Sequence, residues 1–159
     1  YYFIILVKPA LKTFTENQGT LTKLLYGFAL ACFVLKIILQ SSSLIPEVSN
    51  VAYQHRNFVI GFIHLTMLGV ISGFLFAFIL QDSLMKPSKT LIIGIYSFLL
   101  GFVLTELLLL IQGSLFYLGT GILPHYYLIL FWCSVLLPLG IGCFIYNISN
   151  IKQHDRKTT

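Results

Sequence analysis

Four stretches of this 159-residue chain are long and apolar enough to cross a lipid bilayer, and no other feature constrains the fold as strongly. They lie at about residues 21–42, 57–80, 90–112 and 126–148. The hydrocarbon core of a bilayer is roughly 30 Å thick, so about 20 apolar residues in a helix are needed to cross it. Each stretch must satisfy its own backbone polar groups within lipid, which favours helices. The sequence predicts an all-α, polytopic transmembrane helical bundle.

The composition agrees with a protein that is surrounded by lipid. Hydrophobic residues make up 57% of the chain, charged residues 9%, and the mean hydropathy is +0.90. These proportions leave too few polar groups to cover a soluble surface. We expect the partners of this chain to be the lipid bilayer and other membrane helices or subunits.

The first residues differ from the four long stretches. The segment "YYFIILV" at residues 1–7 is apolar but too short to span a bilayer, and Pro9 cannot continue its helix. We interpret residues 1–8 as the end of a truncated fifth helix, and residues 9–159 as a single transmembrane bundle with a tail at 149–159. A chain that begins in this way is expected to be the C-terminal part of a longer protein, whose missing N-terminal part would pack against it.

Basic residues outside the predicted spans are concentrated on one side of the membrane. That side carries Lys8, Lys12, Lys23, Lys86, Lys89, Lys152, Arg156 and Lys157. The opposite side carries Arg56 alone. Because basic loops stay in the cytoplasm, the tail is predicted to be cytoplasmic. The net charge of +5 follows from this asymmetry, and the chain lacks the basic and aromatic pattern of a nucleic-acid surface, so nucleic acid is excluded as a partner.

A few polar residues inside the predicted spans share one depth, about 9–12 Å below the outer ends of the helices. They are Lys36, His64, Glu106, Cys133 and Ser134. Charges inside a span are costly and usually pair, so we expect Lys36 to contact Glu106. This pair would either fix helix packing or line a polar pocket that carries protons or a ligand. Lys36 could also extend outward along its own stem to reach the membrane surface.

Small residues mark the surfaces where the helices are expected to meet, since close packing in lipid needs small side chains. They recur at helical spacing as Gly61, Thr66, Gly69 and Gly73 in the second predicted span, and as Gly94, Ser97, Gly101 and Thr105 in the third. In the fourth predicted span, Pro138 removes the helical donor to the Ser134 carbonyl, which predicts a kink near the middle of the membrane.

His64 is the most unusual residue of the second predicted span, where it opens the pattern His-x-x-Met-Leu-Gly-x-x-x-Gly-Phe-Leu. This pattern resembles the haem-ligating helix of relatives of haem-copper oxidase subunit I, above all the NnrS-type multi-spanning membrane proteins. The resemblance covers roughly residues 37–76. This stretch is also similar to the C-terminal half of bacterial membrane proteins of that kind. It implies a location in the bacterial inner membrane.

The resemblance also implies a haem held between helices in the outer half of the bilayer, with His64 as its axial metal ligand. Met67, Gly61, Gly69 and Gly73 would then flank the cofactor. The chain would be part of a respiratory or redox membrane complex that takes part in electron transport. It departs from a copper-haem centre, because His64 is the one histidine inside a predicted span while His55, His125 and His154 lie outside the spans. Oxygen and nitric-oxide chemistry are therefore unsupported.

Two other functions are compatible with the same residues. One is a transporter or channel subunit in which Lys36, His64 and Glu106 form a relay for protons or substrate. The other is a structural accessory subunit of a larger membrane complex. The sequence shows no nucleophile triad, phosphate loop or carboxylate pair of a hydrolase, so it assigns no catalytic residues, and Glu106 is the one candidate for an acid or base inside the membrane.

Overall fold

The computed structural model describes residues 19–81 and 88–158, with side chains described as far as residue 147. Within these ranges the chain is helical and has no strand. The helices are α1 (Thr20–Ser42), α2 (Pro46–Gln54), α3 (Arg56–His64), a π-helical segment (Leu65–Ser72), α4 (Gly73–Gln81), α5 (Lys89–Tyr117) and α6 (Tyr126–Thr158). The predicted truncated helix at 1–8 lies outside the described residues.

Four of these helical stretches are long and apolar enough to cross a membrane, which confirms the predicted all-α membrane bundle. The first, second, third and fourth spans are Thr20–Ser42, Arg56–Gln81, Lys89–Tyr117 and Tyr126–Asn147. The second span is continuous from α3 through the π-helical segment to α4. The third span ends five residues later than the predicted limit of 112, because the segment "GSLFY" that follows Gln112 stays helical.

The segment between the first and second spans contains an unpredicted helix, α2. It begins at Pro46, and Glu47 lies in its first turn. Proline at the start of a helix loses no hydrogen bond, and an acidic side chain favours the positive end of the helix dipole. Because α2 has no buried residue, it belongs at the membrane surface rather than in the core.

The spans pack in chain order, with the first against the second, the second against the third, and the third against the fourth. The first span contacts the π-helical segment and α4, whereas α3 packs on the third span. The aromatic rings of Phe76, Phe98 and Phe144 form the centre of the core. The Phe76 ring centroid lies 5.0 Å from that of Phe98 and 4.6 Å from that of Phe144. These contacts join the second, third and fourth spans near the ends that carry Gln81, Lys89 and Asn147, which we call the inner ends because the sequence predicts that they face the cytoplasm.

The predicted small-residue surfaces are confirmed as helix contacts. In the third span, Gly94 and Gly101 lie against the fourth span, and the Ser97 hydroxyl donates to the Leu136 carbonyl oxygen at 3.1 Å. The fourth span packs this closely because Gly140 has no side chain: a Cβ atom there would lie 2.6 Å from the Gly94 carbonyl oxygen. The helix α6 continues through Pro138 from Tyr126 to Thr158.

Candidate functional site

Glu106 and His64 meet between the second and third spans. His64 Nδ1 lies 3.9 Å from Glu106 Oε1, and this is the one approach of an acidic to a basic group within ion-pair distance among the described side chains. The His64 side chain is 35% exposed and that of Glu106 15%. The carboxylate also faces Gly61, where a Cβ atom would lie 3.4 Å from Glu106 Oε2. Gly61 and His64 are three residues apart in a helix, so they lie on the same face of α3, and this face contacts Glu106.

The two facing atoms of this pair have no hydrogen-bond partner. His64 Nδ1 and Glu106 Oε1 are both fully buried, and neither forms a hydrogen bond in the part of the chain that the structure describes. Their separation of 3.9 Å exceeds a direct hydrogen bond, which needs about 2.7–3.2 Å. Buried polar atoms without partners are costly, so such a pair is stable only with a bridging water, a shared proton or a small movement that closes the gap.

The predicted contact between Lys36 and Glu106 is wrong, since the structure pairs Glu106 with His64 instead. The physical reason is the order of packing: the first span packs mainly on the π-helical segment and α4, whereas the third span packs on α3, the helix that carries His64. Lys36 is half-buried and forms no ion pair within the described residues. It lies one turn outward from Cys32, whose Sγ faces Gly69, so it stays on the side of the first span nearest the second.

The predicted polar layer is therefore divided in the structure. Of its five members, His64 and Glu106 are brought together, while Cys133 and Ser134 lie on the fourth span. The Cys133 carbonyl oxygen is near Gly101 in the contact with the third span, and the Ser134 hydroxyl donates to the Phe131 carbonyl oxygen of its own helix at 2.9 Å. The predicted depth places all five residues at one level, but depth alone does not specify which helix faces are adjacent.

The residues predicted to flank a haem do not leave space for it between the helices. At Gly69 a Cβ atom would already lie 2.9 Å from both Cys32 Sγ and Phe102 Cζ, and at Gly73 it would lie 3.0 Å from the Ala29 Cβ. Met67 points away from these contacts and is 56% exposed. The glycine faces are occupied by neighbouring helices, so the described residues do not fit a haem held between these helices.

A metal site built from several side chains is also not formed. Within the described residues, no three side chains of the histidine, cysteine, aspartate and glutamate types lie close enough together to hold a metal ion. His64 and Glu106 thus form a site of two ionisable groups. This arrangement suits the transfer or storage of a proton better than the coordination of a metal.

Sequence reasoning missed Gln112, a fully buried residue near the outer end of the third span. Its side-chain amide donates to the Gly121 carbonyl oxygen at 3.1 Å, and its carbonyl oxygen accepts from the Leu123 backbone N–H at 3.0 Å. These bonds hold the connection to the fourth span, where Gly119, Gly121 and His125 have positive φ angles of 72°, 91° and 58°. The sequence feature that could have indicated this role is the position of Gln112 at the end of an apolar run, shortly before a loop that contains two glycines.

No family model, curated protein or solved structure matches this chain. The resemblance to haem-copper oxidase subunit I relatives therefore stays a prediction.

Proposed function

We propose that this chain is the proton-handling part of an integral membrane transporter or channel, with His64 and Glu106 as the groups that take up and pass on the proton. The observation that carries the proposal is the buried approach of His64 Nδ1 to Glu106 Oε1 at 3.9 Å, with neither atom hydrogen-bonded among the described residues. Ionisable residues inside a membrane are rare and commonly mark proton or ion pathways.

The chemistry of the pair supports protons over other substrates. An imidazole changes its charge near neutral pH, and both an imidazole and a carboxyl group can donate or accept a proton. Metal cations such as Na⁺ or Ca²⁺ need several oxygen ligands, whereas Glu106 supplies the one carboxylate of this pair.

Proton flux across liposomes tests the proposal. The protein is reconstituted in liposomes that contain a pH-sensitive dye, and a potential of either sign drives protons across the membrane. We expect flux in the unsubstituted protein and none above the level of empty liposomes in Glu106→Gln, which keeps the shape of the side chain but cannot ionise. Glu47→Gln, on the exposed helix α2, is the matched control and should retain the flux. Equal flux in both variants would contradict the assigned role of Glu106.

The resemblance to haem-copper oxidase subunit I relatives implies a rival function for His64, the binding of haem. A haem would have to approach from the exposed part of the imidazole, because Nδ1 is buried against Glu106 and the glycine faces are filled. We expect an optical spectrum of the purified protein to lack a Soret band. A Soret band that is abolished in His64→Ala and retained in His125→Ala would favour the haem function over the proton relay.

We also propose that the inner ends of the spans face the cytoplasm of a bacterial cell, on the basis of the basic residues. Cysteine labelling tests this orientation. Ser88 is a poor position for a probe because its hydroxyl accepts from the Leu91 N–H at the start of the third span and bonds to Asn147. We expect Lys89→Cys to be shielded from an impermeant thiol reagent in intact cells, and Thr120→Cys, in the exposed outer loop, to react. The opposite labelling pattern would reverse the orientation.

A further inference from the structure

The π-helical segment Leu65–Ser72 begins at the residue that follows His64. π-helices are rare, mostly span a single turn and occur frequently at functional sites, yet this one covers eight residues. The Ser72 hydroxyl donates to the Met67 carbonyl oxygen, five residues earlier, at 3.2 Å. A π-helix closes wider turns than an α-helix, so the second span holds more residues in this stretch than a regular helix of the same length would.

The inner part of the second span is firmly anchored on the side of the first span. Gly73 lies directly on Ala29, and the Tyr26 hydroxyl donates to the Gln81 side-chain oxygen at 2.5 Å. The ring of Phe76 packs between Phe98 and Phe144. If the π-helical segment changed to α-helix, the inner part would therefore stay in place and the outer part, α3, would have to turn.

The size of this turn follows from helix geometry. One residue of an α-helix corresponds to a rotation of about 100° and a rise of about 1.5 Å. The π-helical segment fits about one residue more than an α-helix of the same length, so its change to α-helix with all residues retained would rotate α3 by about 100° relative to α4 and shift it by about 1.5 Å along the axis. Such a rotation moves Gly61 and His64 away from Glu106, because both lie on the single face of α3 that now meets the carboxylate.

The polar contacts that resist this rotation are few among the described residues. At the outer end of the second span, the Asn57 side-chain amide donates to the Tyr126 hydroxyl at 3.4 Å, which is long for a hydrogen bond. The ring of Phe58 packs closely on Gly113, where a Cβ atom would lie 2.9 Å from Phe58 Cε1, and a turn of α3 would have to replace this apolar contact by another. The pair itself adds no direct hydrogen bond at 3.9 Å.

We propose that Leu65–Ser72 is a register switch that gates the His64–Glu106 site: the π register holds His64 against Glu106, and the α register turns His64 away and interrupts proton transfer. This inference rests on the proton role proposed for the pair. The other ionisable groups that face the second span are Tyr26, Cys32 and, one turn outward from Cys32, Lys36 on the first span, together with Tyr126 on the fourth. Glu106 is the carboxylate that lies within ion-pair distance of His64 among the described residues.

Distance measurement between two spin labels tests the switch in the reconstituted protein. The labels are placed at Val59→Cys and Ser114→Cys, both on exposed positions, in a background whose native cysteines are replaced by alanine. Side chains lie about 5–6 Å from a helix axis, so a rotation of about 100° displaces the label on α3 by about 8 Å. We expect two distance populations, and deletion of Val70 from the π-helical segment should leave only the population of the π register, because the shortened segment forms an α-helix without turning α3.

A variant of unchanged length keeps the test decisive if the deletion fails to fold. Ser72→Ala removes the bond to the Met67 carbonyl oxygen and should shift the populations toward the α register. The substitution lies away from both labelled positions. A single distance that neither variant changes would overturn the switch. If proton flux depends on Glu106 in that same preparation, the proton role stands and only the switch is rejected. If flux is absent but the two populations respond to Ser72→Ala, the proton role fails and the register change stands alone.

Discussion

Gly140→Ala should separate the third and fourth spans and destabilise the bundle by about 1–3 kcal/mol, the usual cost of forcing extra atoms into a packed core. A Cβ atom at this position would lie 2.6 Å from the Gly94 carbonyl oxygen and 2.8 Å from the Phe98 backbone nitrogen. Both are backbone atoms of a long helix, so neither can move without shifting the helix itself. The clash therefore falls on the most extensive interface of the molecule.

Gly142→Ala is the matched control, because it is the same substitution two residues further along the same helix. No atom lies within 4 Å of a Cβ at Gly142, and alanine favours a helix over glycine by about 1 kcal/mol. We expect this variant to be neutral or slightly stabilised. The midpoint of unfolding in a series of denaturing detergent mixtures measures both variants. Equal midpoints for the two substitutions would show that the spans do not meet at Gly140.

Gln112→Ala should destabilise the outer end of the bundle by about 1–3 kcal/mol, the cost of leaving a buried polar group without its partner. The substitution removes both bonds to the loop at 118–125, at Gly121 and Leu123. It also leaves a cavity where a fully buried side chain was packed. The backbone of this loop is held in conformations with positive φ, which persist only where the surroundings impose them.

Limited proteolysis of the loop and detergent unfolding measure the effect of Gln112→Ala. We expect faster cleavage between the third and fourth spans in the variant, along with a lower unfolding midpoint. Gln40→Ala is the control, since Gln40 is exposed and its side chain forms no hydrogen bond among the described residues. Unchanged cleavage in Gln112→Ala would show that the loop is held by other contacts.

The number of spans and most of their limits could be predicted from the sequence, because membrane thickness and the loss of water act on each segment separately. The small residues Gly94, Ser97 and Gly101 were also correctly interpreted as a contact surface, since their helical spacing places them on one face. The expected partner of Glu106 was wrong, because it was inferred from depth in the membrane and not from the spacing of residues on one helix face. Lys36 and His64 have nearly the same depth, and depth does not distinguish between them.

The glycines of the second span show the same limit. Their spacing predicted a face that could hold either another helix or a flat ligand, and the packing of Cys32, Phe102 and Ala29 against Gly69 and Gly73 decided for helices. The π-helical segment had no signal in the sequence, because its residues are apolar and helical in either register. Gln112 was overlooked because its role depends on a loop that returns to it.

The sequence by itself determined that this chain is an all-helical membrane protein, since the solvent of each residue follows from local hydrophobicity. It also determined which few ionisable groups lie within the apolar spans. Only the tertiary structure decided that His64 rather than Lys36 meets Glu106, that the two atoms face each other without hydrogen bonds among the described residues, and that a π-helical segment follows directly. These features depend on which faces of neighbouring helices turn toward each other, and that choice is made by the packing of all the spans together.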